Sequence, residues 1–179
     1  MRFLSTRTIS TSTLTTMYKK RRALAPSDPE KAYGAALRTA MNIVGYKDNT
    51  LYQLKTKLIE RGYSEETVDA VCEFMVSKNY VNDTRMIFRA ARSLALNKLY
   101  GRKRIMRELA LKKFTDEAYD AFSFDSDELD DVDFVAVCLK LIKKKGGVRD
   151  DKTFAFLMRY GHSVSDVKEA YKRLENEDE

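Results

Sequence analysis

The sequence has few of the residues from which catalytic and metal sites are usually built. Its 179 residues include one histidine, two cysteines and no tryptophan. A zinc site needs about four Cys, His or carboxylate ligands, and any Ser-His-Asp or Cys-His device would have to use His162. His162 follows Gly161 in an apolar turn, which favours a packed residue over a ligand. We therefore expect no enzyme, no cofactor and no metal, and we expect Cys72 and Cys138 to be buried in a reducing compartment.

Proline and long apolar runs are also scarce. No proline occurs in residues 30–179, and one proline inside a helix costs about 3 kcal/mol. Apolar residues recur at helical spacing, as Leu51, Leu54 and Leu58 do, and no stretch alternates strictly. No run approaches the roughly 20 apolar residues that span a bilayer, and no glycine-rich phosphate motif is present. These patterns predict an all-α protein.

Three segments of the chain resemble one another. Gly62, Lys113 and Gly161 stand at corresponding positions, so the repeat is about 50 residues long. In each segment an amphipathic helix ends at a position suited to glycine, and a hydroxyl residue then caps the next helix. These capping residues are Ser64, Thr115 and Ser163. A further helix precedes each pair, near 30–46, 82–97 and 132–145, which predicts tandem three-helix repeats in three units with about nine helices.

The repeats define the predicted organisation of the chain. It has a flexible basic Ser/Thr-rich tail at 1–29, helical repeat 1 at 30–80, helical repeat 2 at 81–124, an acidic linker at 125–131 and helical repeat 3 at 132–179. In the tail, nine of the twelve residues 5–16 are Ser or Thr, and no acid precedes Asp28. This composition is also typical of an organellar transit peptide. We favour a flexible tail, or an upstream extension if translation starts at Met17, and hence a cytoplasmic protein over an organellar one.

The formal net charge of +6 is distributed unevenly. Residues 81–115 hold ten bases and two acids, whereas residues 116–134 hold nine acids and no base. Like charges repel at helical spacing, and bases oppose the dipole at a helix N-terminus. A solvated helix face is one interpretation, but the clustering favours an anionic partner. The predicted binding residues, called the basic patch below, are Arg85, Arg89, Arg92, Lys98, Arg102, Lys103, Arg104, Arg107, Lys112 and Lys113.

Three stretches, at 61–85, 101–114 and 156–163, resemble the RecX family of regulatory proteins that modulate the recombinase RecA. The middle stretch is the most specific, with Gly101, then Arg104-Ile105, then Glu108-Leu109 at the family's spacing. The resemblance covers about residues 32–174. Lys113 stands where the family usually has glycine, and Ile87 stands where it usually has alanine.

The resemblance implies an elongated, curved array of three-helix repeats that is not an enzyme. It implies a monomer that binds a RecA recombinase or its nucleoprotein filament, with single- or double-stranded DNA contacts. Such a protein would inhibit filament growth, ATPase activity and strand exchange, and so modulate DNA recombination, DNA repair and the SOS response. The alternative is a stand-alone nucleic-acid-binding helical protein with no RecA partner. The sequence leaves open whether the basic patch contacts DNA or protein.

Overall fold

The chain folds into helices joined by short turns. The computed structural model describes residues 28–177, which contain nine α-helices, one 3-10 helix at Asp127–Leu129 and no strand. The α-helices are α1 (Pro29–Tyr46), α2 (Leu51–Ile59), α3 (Glu65–Ser77), α4 (Asp83–Lys98), α5 (Arg102–Ala110), α6 (Asp116–Asp120), α7 (Phe134–Lys144), α8 (Asp151–Arg159) and α9 (Val164–Glu177). The prediction of an all-α protein is confirmed. The predicted tail at 1–29 lies almost entirely outside the described residues.

We examined whether any helix within residues 28–177 could span a membrane. None of them combines the length and the apolar character that a membrane span requires.

Side-chain caps explain where many of these helices begin. The Ser64 hydroxyl accepts a hydrogen bond from Thr67 N at 3.3 Å, as predicted for a helix N-cap. Ser163 and Asp166 form a reciprocal capping box at α9, with Asp166 N 3.0 Å from Ser163 Oγ. Thr115 occupies the N-cap position of α6 but makes no side-chain cap bond. The prediction for Thr115 is therefore right in position and wrong in its hydrogen bond.

A left-handed residue ends the second helix of each three-helix unit. Gly62 has φ 89°, Lys113 has φ 53° and Gly161 has φ 86°. After both glycines the next amide donates back across the turn, from Tyr63 N to Leu58 O and from His162 N to Leu157 O. The three segments that resemble one another in sequence therefore also share a left-handed residue after the second helix in the structure. We refer to α1–α3 as unit 1, α4–α6 as unit 2 and α7–α9 as unit 3.

The buried apolar residues form two separate cores. One lies within unit 1 and includes Leu54, Leu58 and Met75. The other is shared by units 2 and 3. It also takes in Leu129, 3% exposed, from the predicted acidic linker. Units 2 and 3 therefore stabilise each other through a common core, whereas unit 1 has a core of its own.

Neighbouring units meet at equivalent positions of the repeat. The turn after the second helix of one unit packs against the N-terminus of the second helix of the preceding unit. At the unit 1–2 interface the Thr50 hydroxyl donates to the Lys112 carbonyl at 3.2 Å. At the unit 2–3 interface the amide of Gly101, the equivalent of Thr50, donates to the Tyr160 carbonyl at 2.9 Å. These interfaces position the basic patch.

Candidate partner-binding surface

The basic patch is spread over α4, α5 and the turn that follows α5. Four of its residues lie on α4, four on α5 and two in the turn. Arg102 and Arg104 are half-buried, and the other eight are exposed. The structure therefore separates the patch into two residues that pack partly against the rest of the molecule and eight that face solvent.

Arg102 is held at the unit 2–3 interface. Its guanidinium lies 3.3 Å from both carboxylate oxygens of Asp166, which is only 8% exposed, and 4.1 Å from the centre of the Phe134 ring. Removing one partner of such a pair leaves a poorly solvated charge, which costs far more than loss of an exposed pair. Arg102 therefore links units 2 and 3, and an external anion would have to compete with the Asp166 carboxylate for its guanidinium.

Arg104 packs among aromatic rings at the same interface. Its guanidinium lies 4.3 Å from the ring centre of Tyr100 and 5.5 Å from that of Tyr160, and its Nε lies 3.5 Å from a Glu108 carboxylate oxygen. The two tyrosine rings meet edge to face, with centres 5.5 Å apart. Cation–π contacts of this kind hold Arg104 and the rings together. Arg104, like Arg102, is therefore a packing residue.

The backbones of units 2 and 3 approach each other so closely that only glycine fits. A Cβ on Gly101 would lie 2.3 Å from the Gly161 carbonyl oxygen, and a Cβ on Gly161 would lie 2.3 Å from Arg104 N. The Gly161 carbonyl accepts a hydrogen bond from Lys103 N at 3.1 Å. This bond satisfies a first-turn amide of α5, which has no side-chain cap. A carbonyl from unit 3 thus replaces the missing cap of the basic helix α5.

His162 is buried beside this contact, at 1% exposure. Its Nε2 lies 3.0 Å from the Leu99 carbonyl oxygen, so Nε2 carries the proton and donates. Nδ1 has no hydrogen-bond partner among residues 28–177. Burial lowers the pKa of His162, against the opposing effects of the Leu99 bond and the Asp166 charge. The ring is therefore a neutral packed residue, in line with the sequence interpretation.

Two arginines of α4 form exposed ion pairs. Arg89 lies 3.1 Å from Asp48, and Arg92 pairs with Asp131 in the acidic segment. Exposed pairs are worth at most about 1 kcal/mol and are weakened by salt. Arg89 and Arg92 can therefore exchange these partners for an external anion at little cost.

The remaining residues of the basic patch face solvent. Within residues 28–177, Arg85, Lys98, Lys103, Arg107 and Lys112 form no ion pair. Lys113 Nζ lies 2.9 Å from the Tyr52 hydroxyl and 4.2 Å from the centre of its ring. This ammonium group lowers the pKa of Tyr52, chiefly through the hydrogen bond.

The role of Asp83 is not predicted by the sequence analysis. Its carboxylate accepts hydrogen bonds from Leu51 N at 3.0 Å and from Thr115 N at 3.1 Å. It thus bridges the N-terminal ends of α2 and α6 while standing at the start of α4. Burial raises the pKa of Asp83, although the two amide bonds oppose this shift. The only sequence signal for this role is that Asp83 is the single acidic residue of the basic helix α4.

Metal-ligating side chains do not gather anywhere in residues 28–177. No group of three or more His, Cys, Asp or Glu side chains is placed to hold a metal ion there.

Comparisons with known proteins agree on one family. A family profile described as RecX, first three-helix domain, matches residues 36–75. The regulatory protein RecX of Vibrio parahaemolyticus is 29% identical over 168 residues, which cover 90% of this chain and 100% of the relative. The RecX of Pelodictyon phaeoclathratiforme is 26% identical over 147 residues, covering 78% of this chain and 88% of the relative. The crystal structure of RecX from Lactobacillus salivarius superposes with a TM-score of 0.65 at 19% identity, covering 80% and 96% of the two chains.

Proposed function

Because this chain belongs to the RecX family, whose members are regulatory proteins and not enzymes, we propose that it binds a RecA recombinase or its filament on DNA. In this proposal it inhibits filament growth, ATP hydrolysis and strand exchange, and so modulates recombination, repair and the SOS response. It acts as a monomer in the cytoplasm and needs no cofactor. The observation that carries the proposal is the set of exposed bases on α4 and α5 that form no ion pair within residues 28–177, next to the unit 2–3 interface.

The interface matters because it fixes the direction in which those bases point. The contacts of Arg102 with Asp166, of Arg104 with Tyr160 and of Gly101 with Gly161 hold the backbone of α5 against unit 3. A surface that is rigid before binding loses less conformational entropy when it binds. The fixed face of α5 is therefore suited to an ordered, repetitive, negatively charged partner such as a nucleoprotein filament.

The direct test measures ATP hydrolysis by RecA on single-stranded DNA while the full-length chain is added. We expect hydrolysis to slow as the chain approaches a stoichiometric ratio to RecA. The double variant Lys103→Gln/Arg107→Gln should be a weaker inhibitor. The matched control is Lys140→Gln/Lys144→Gln, which removes two exposed bases at the same spacing on α7. Unchanged hydrolysis at stoichiometric ratios would overturn the proposal.

The second candidate is a nucleic-acid-binding protein without a RecA partner. The concentration of basic residues in 81–115 is the observation that favours it. It requires tight binding to DNA alone, with an affinity that falls steeply as salt rises because counterions are released. A titration of a fluorescent oligonucleotide at several salt concentrations separates the two candidates. Weak binding with a shallow salt dependence favours the RecA regulator.

A further inference from the structure

The outer face of α5 combines exposed bases with exposed apolar side chains. Lys103, Met106, Arg107, Ala110 and Leu111 follow the i, i+3, i+4, i+7, i+8 spacing of one helix face, and all five are exposed. Met106 is 40% and Leu111 is 79% exposed. The opposite face of the helix carries Ile105 and Leu109, which are fully buried. The helix therefore presents exposed apolar side chains next to two exposed bases, on the face opposite its buried side.

The mixture of bases and apolar side chains on the outer face of α5 is not typical of a surface that binds the DNA backbone. Phosphates would engage Lys103 and Arg107 but would gain nothing from Met106 or Leu111. Two phosphate contacts give log K a dependence on log salt of only about −1.8, far short of an ordinary DNA-binding protein. The rings of Tyr100 and Tyr160 lie beside α5, and Arg104 packs on both. Base stacking, which supplies much of the affinity of single-strand binders, is therefore obstructed at these rings.

The equivalent face of unit 1 is engaged within the molecule. On α2 the positions that correspond to Lys103 and Met106 are Tyr52 and Lys55. Tyr52 contacts Lys113, and Lys55 Nζ lies 2.7 Å from the Asp69 carboxylate. These two positions therefore have side-chain partners in unit 1, whereas in unit 2 Lys103 forms no ion pair within residues 28–177 and Met106 is 40% exposed.

We propose that the outer face of α5 docks on an acidic protein surface that has an apolar pocket at its centre. Resting on the function proposed above, we take this surface to belong to a RecA subunit of the filament and not to its DNA. Met106 and Leu111 enter the pocket, while Lys103 and Arg107 pair with carboxylates at its rim. Charge complementarity sets the register, and desolvated apolar contacts supply the affinity.

The experiment compares an apolar variant with a charge variant in the full-length chain. The variants are Met106→Ser/Leu111→Ser and Lys103→Gln/Arg107→Gln. The matched controls are Val148→Ser, which alters an exposed apolar residue of unit 3, and Lys140→Gln/Lys144→Gln. Because all these side chains are exposed, circular dichroism and thermal unfolding should match the wild type. Binding is measured to RecA filaments on poly(dT) and, separately, to free poly(dT).

We expect Met106→Ser/Leu111→Ser to weaken filament binding by about ten-fold, the usual loss when a central interface residue is truncated, with unchanged poly(dT) binding. Lys103→Gln/Arg107→Gln should weaken filament binding mainly at low salt, and both controls should behave as wild type. The inference is overturned if the apolar variant binds filaments normally while the charge variant loses filament and poly(dT) binding in parallel, because the face then contacts phosphate. A wild-type chain that does not bind filaments at all overturns the proposed function itself.

Discussion

At the residue scale, Lys113 has a backbone conformation that its side chain disfavours. Its φ of 53° is left-handed, and the two equivalent residues of the repeat are glycines. Left-handed backbone costs a residue with a Cβ roughly 1–2 kcal/mol. Its side chain contacts the exposed Tyr52, which links the turn to unit 1. The residue therefore combines a local backbone cost with a contact between units.

We predict that Lys113→Gly raises the free energy of unfolding by about 1 kcal/mol, since glycine relieves the left-handed backbone. It should also let the lowered pKa of Tyr52 return toward its ordinary value, because the neighbouring ammonium group is lost. Urea denaturation and NMR titration of Tyr52 measure the two effects. Lys112→Gly is the control, since residue 112 is not left-handed. A Lys113→Gly variant less stable than the wild type would contradict the prediction.

His162 makes the stability of the protein depend on pH. Burial lowers its pKa, so the unfolded chain binds a proton more readily than the folded chain does. The free energy of unfolding should therefore fall as the pH drops below the ordinary value of about 6.5, by at most about 1.4 kcal/mol per pH unit. His162→Gln should lose this contribution while still donating to the Leu99 carbonyl. Denaturation curves of both proteins between about pH 7 and pH 5 measure the difference; parallel pH dependences would show that His162 does not titrate in this way.

At the scale of helices and turns, two glycines have the same backbone conformation but different surroundings. Comparing alanine variants of the two therefore distinguishes the cost of backbone strain from the cost of steric overlap. Gly62 and Gly161 are both left-handed. A Cβ on Gly62 would meet no atom within 4 Å, whereas one on Gly161 would overlap Arg104. Gly62→Ala should therefore cost only the strain of about 1–2 kcal/mol, and Gly161→Ala should cost considerably more. Thermal unfolding of both variants is the measurement, and equal losses would mean that the unit 2–3 contact contributes nothing.

The features that could be predicted from the sequence are those that depend on residues close together in the chain. Helical periodicity, caps such as Ser64 and the left-handed turns depend on residues close in the chain, and these predictions are confirmed. The contacts of Arg102 and Arg104 are with Asp166 and Tyr160, which lie about 60 residues away in the chain. No local pattern reports such contacts, so the sequence placed all ten bases in one patch. For the same reason it missed the bridge made by Asp83.

At the scale of the whole molecule, the two cores make unit 1 separable from units 2 and 3. Cys72 belongs to the first core and Cys138 to the second. Burial raises the pKa of the Cys72 thiol to about 11 and that of Cys138 to about 12. Neither thiol reacts readily unless its core opens. The two cysteines therefore report independently on the opening of the two parts of the molecule.

We predict that Asp83→Ala lowers stability at the contact between units 1 and 2 by about 2 kcal/mol, because the amides of Leu51 in unit 1 and Thr115 in unit 2 lose their acceptor. Under native conditions the labelling of Cys72 by a thiol reagent should then accelerate more than that of Cys138, whose core is also held by unit 3. Mass spectrometry after timed labelling measures both rates. Asp120→Ala, at an exposed site on α6, is the control. If both thiols were accelerated equally, the chain would open as one cooperative body.

The contact between the Gly161 turn and the N-terminus of α5 also has a consequence for biosynthesis. The buried bond from His162 to the Leu99 carbonyl joins residues 63 positions apart. At translation rates of about 5–20 residues per second, roughly 3–12 s pass between the synthesis of these two residues. During that interval the Lys103 amide at the start of α5 lacks the Gly161 carbonyl that accepts its hydrogen bond, and the core shared by units 2 and 3 lacks the residues of unit 3. A ribosome stalled before Gly161 would therefore hold a chain whose first unit is folded and whose middle unit awaits the last one.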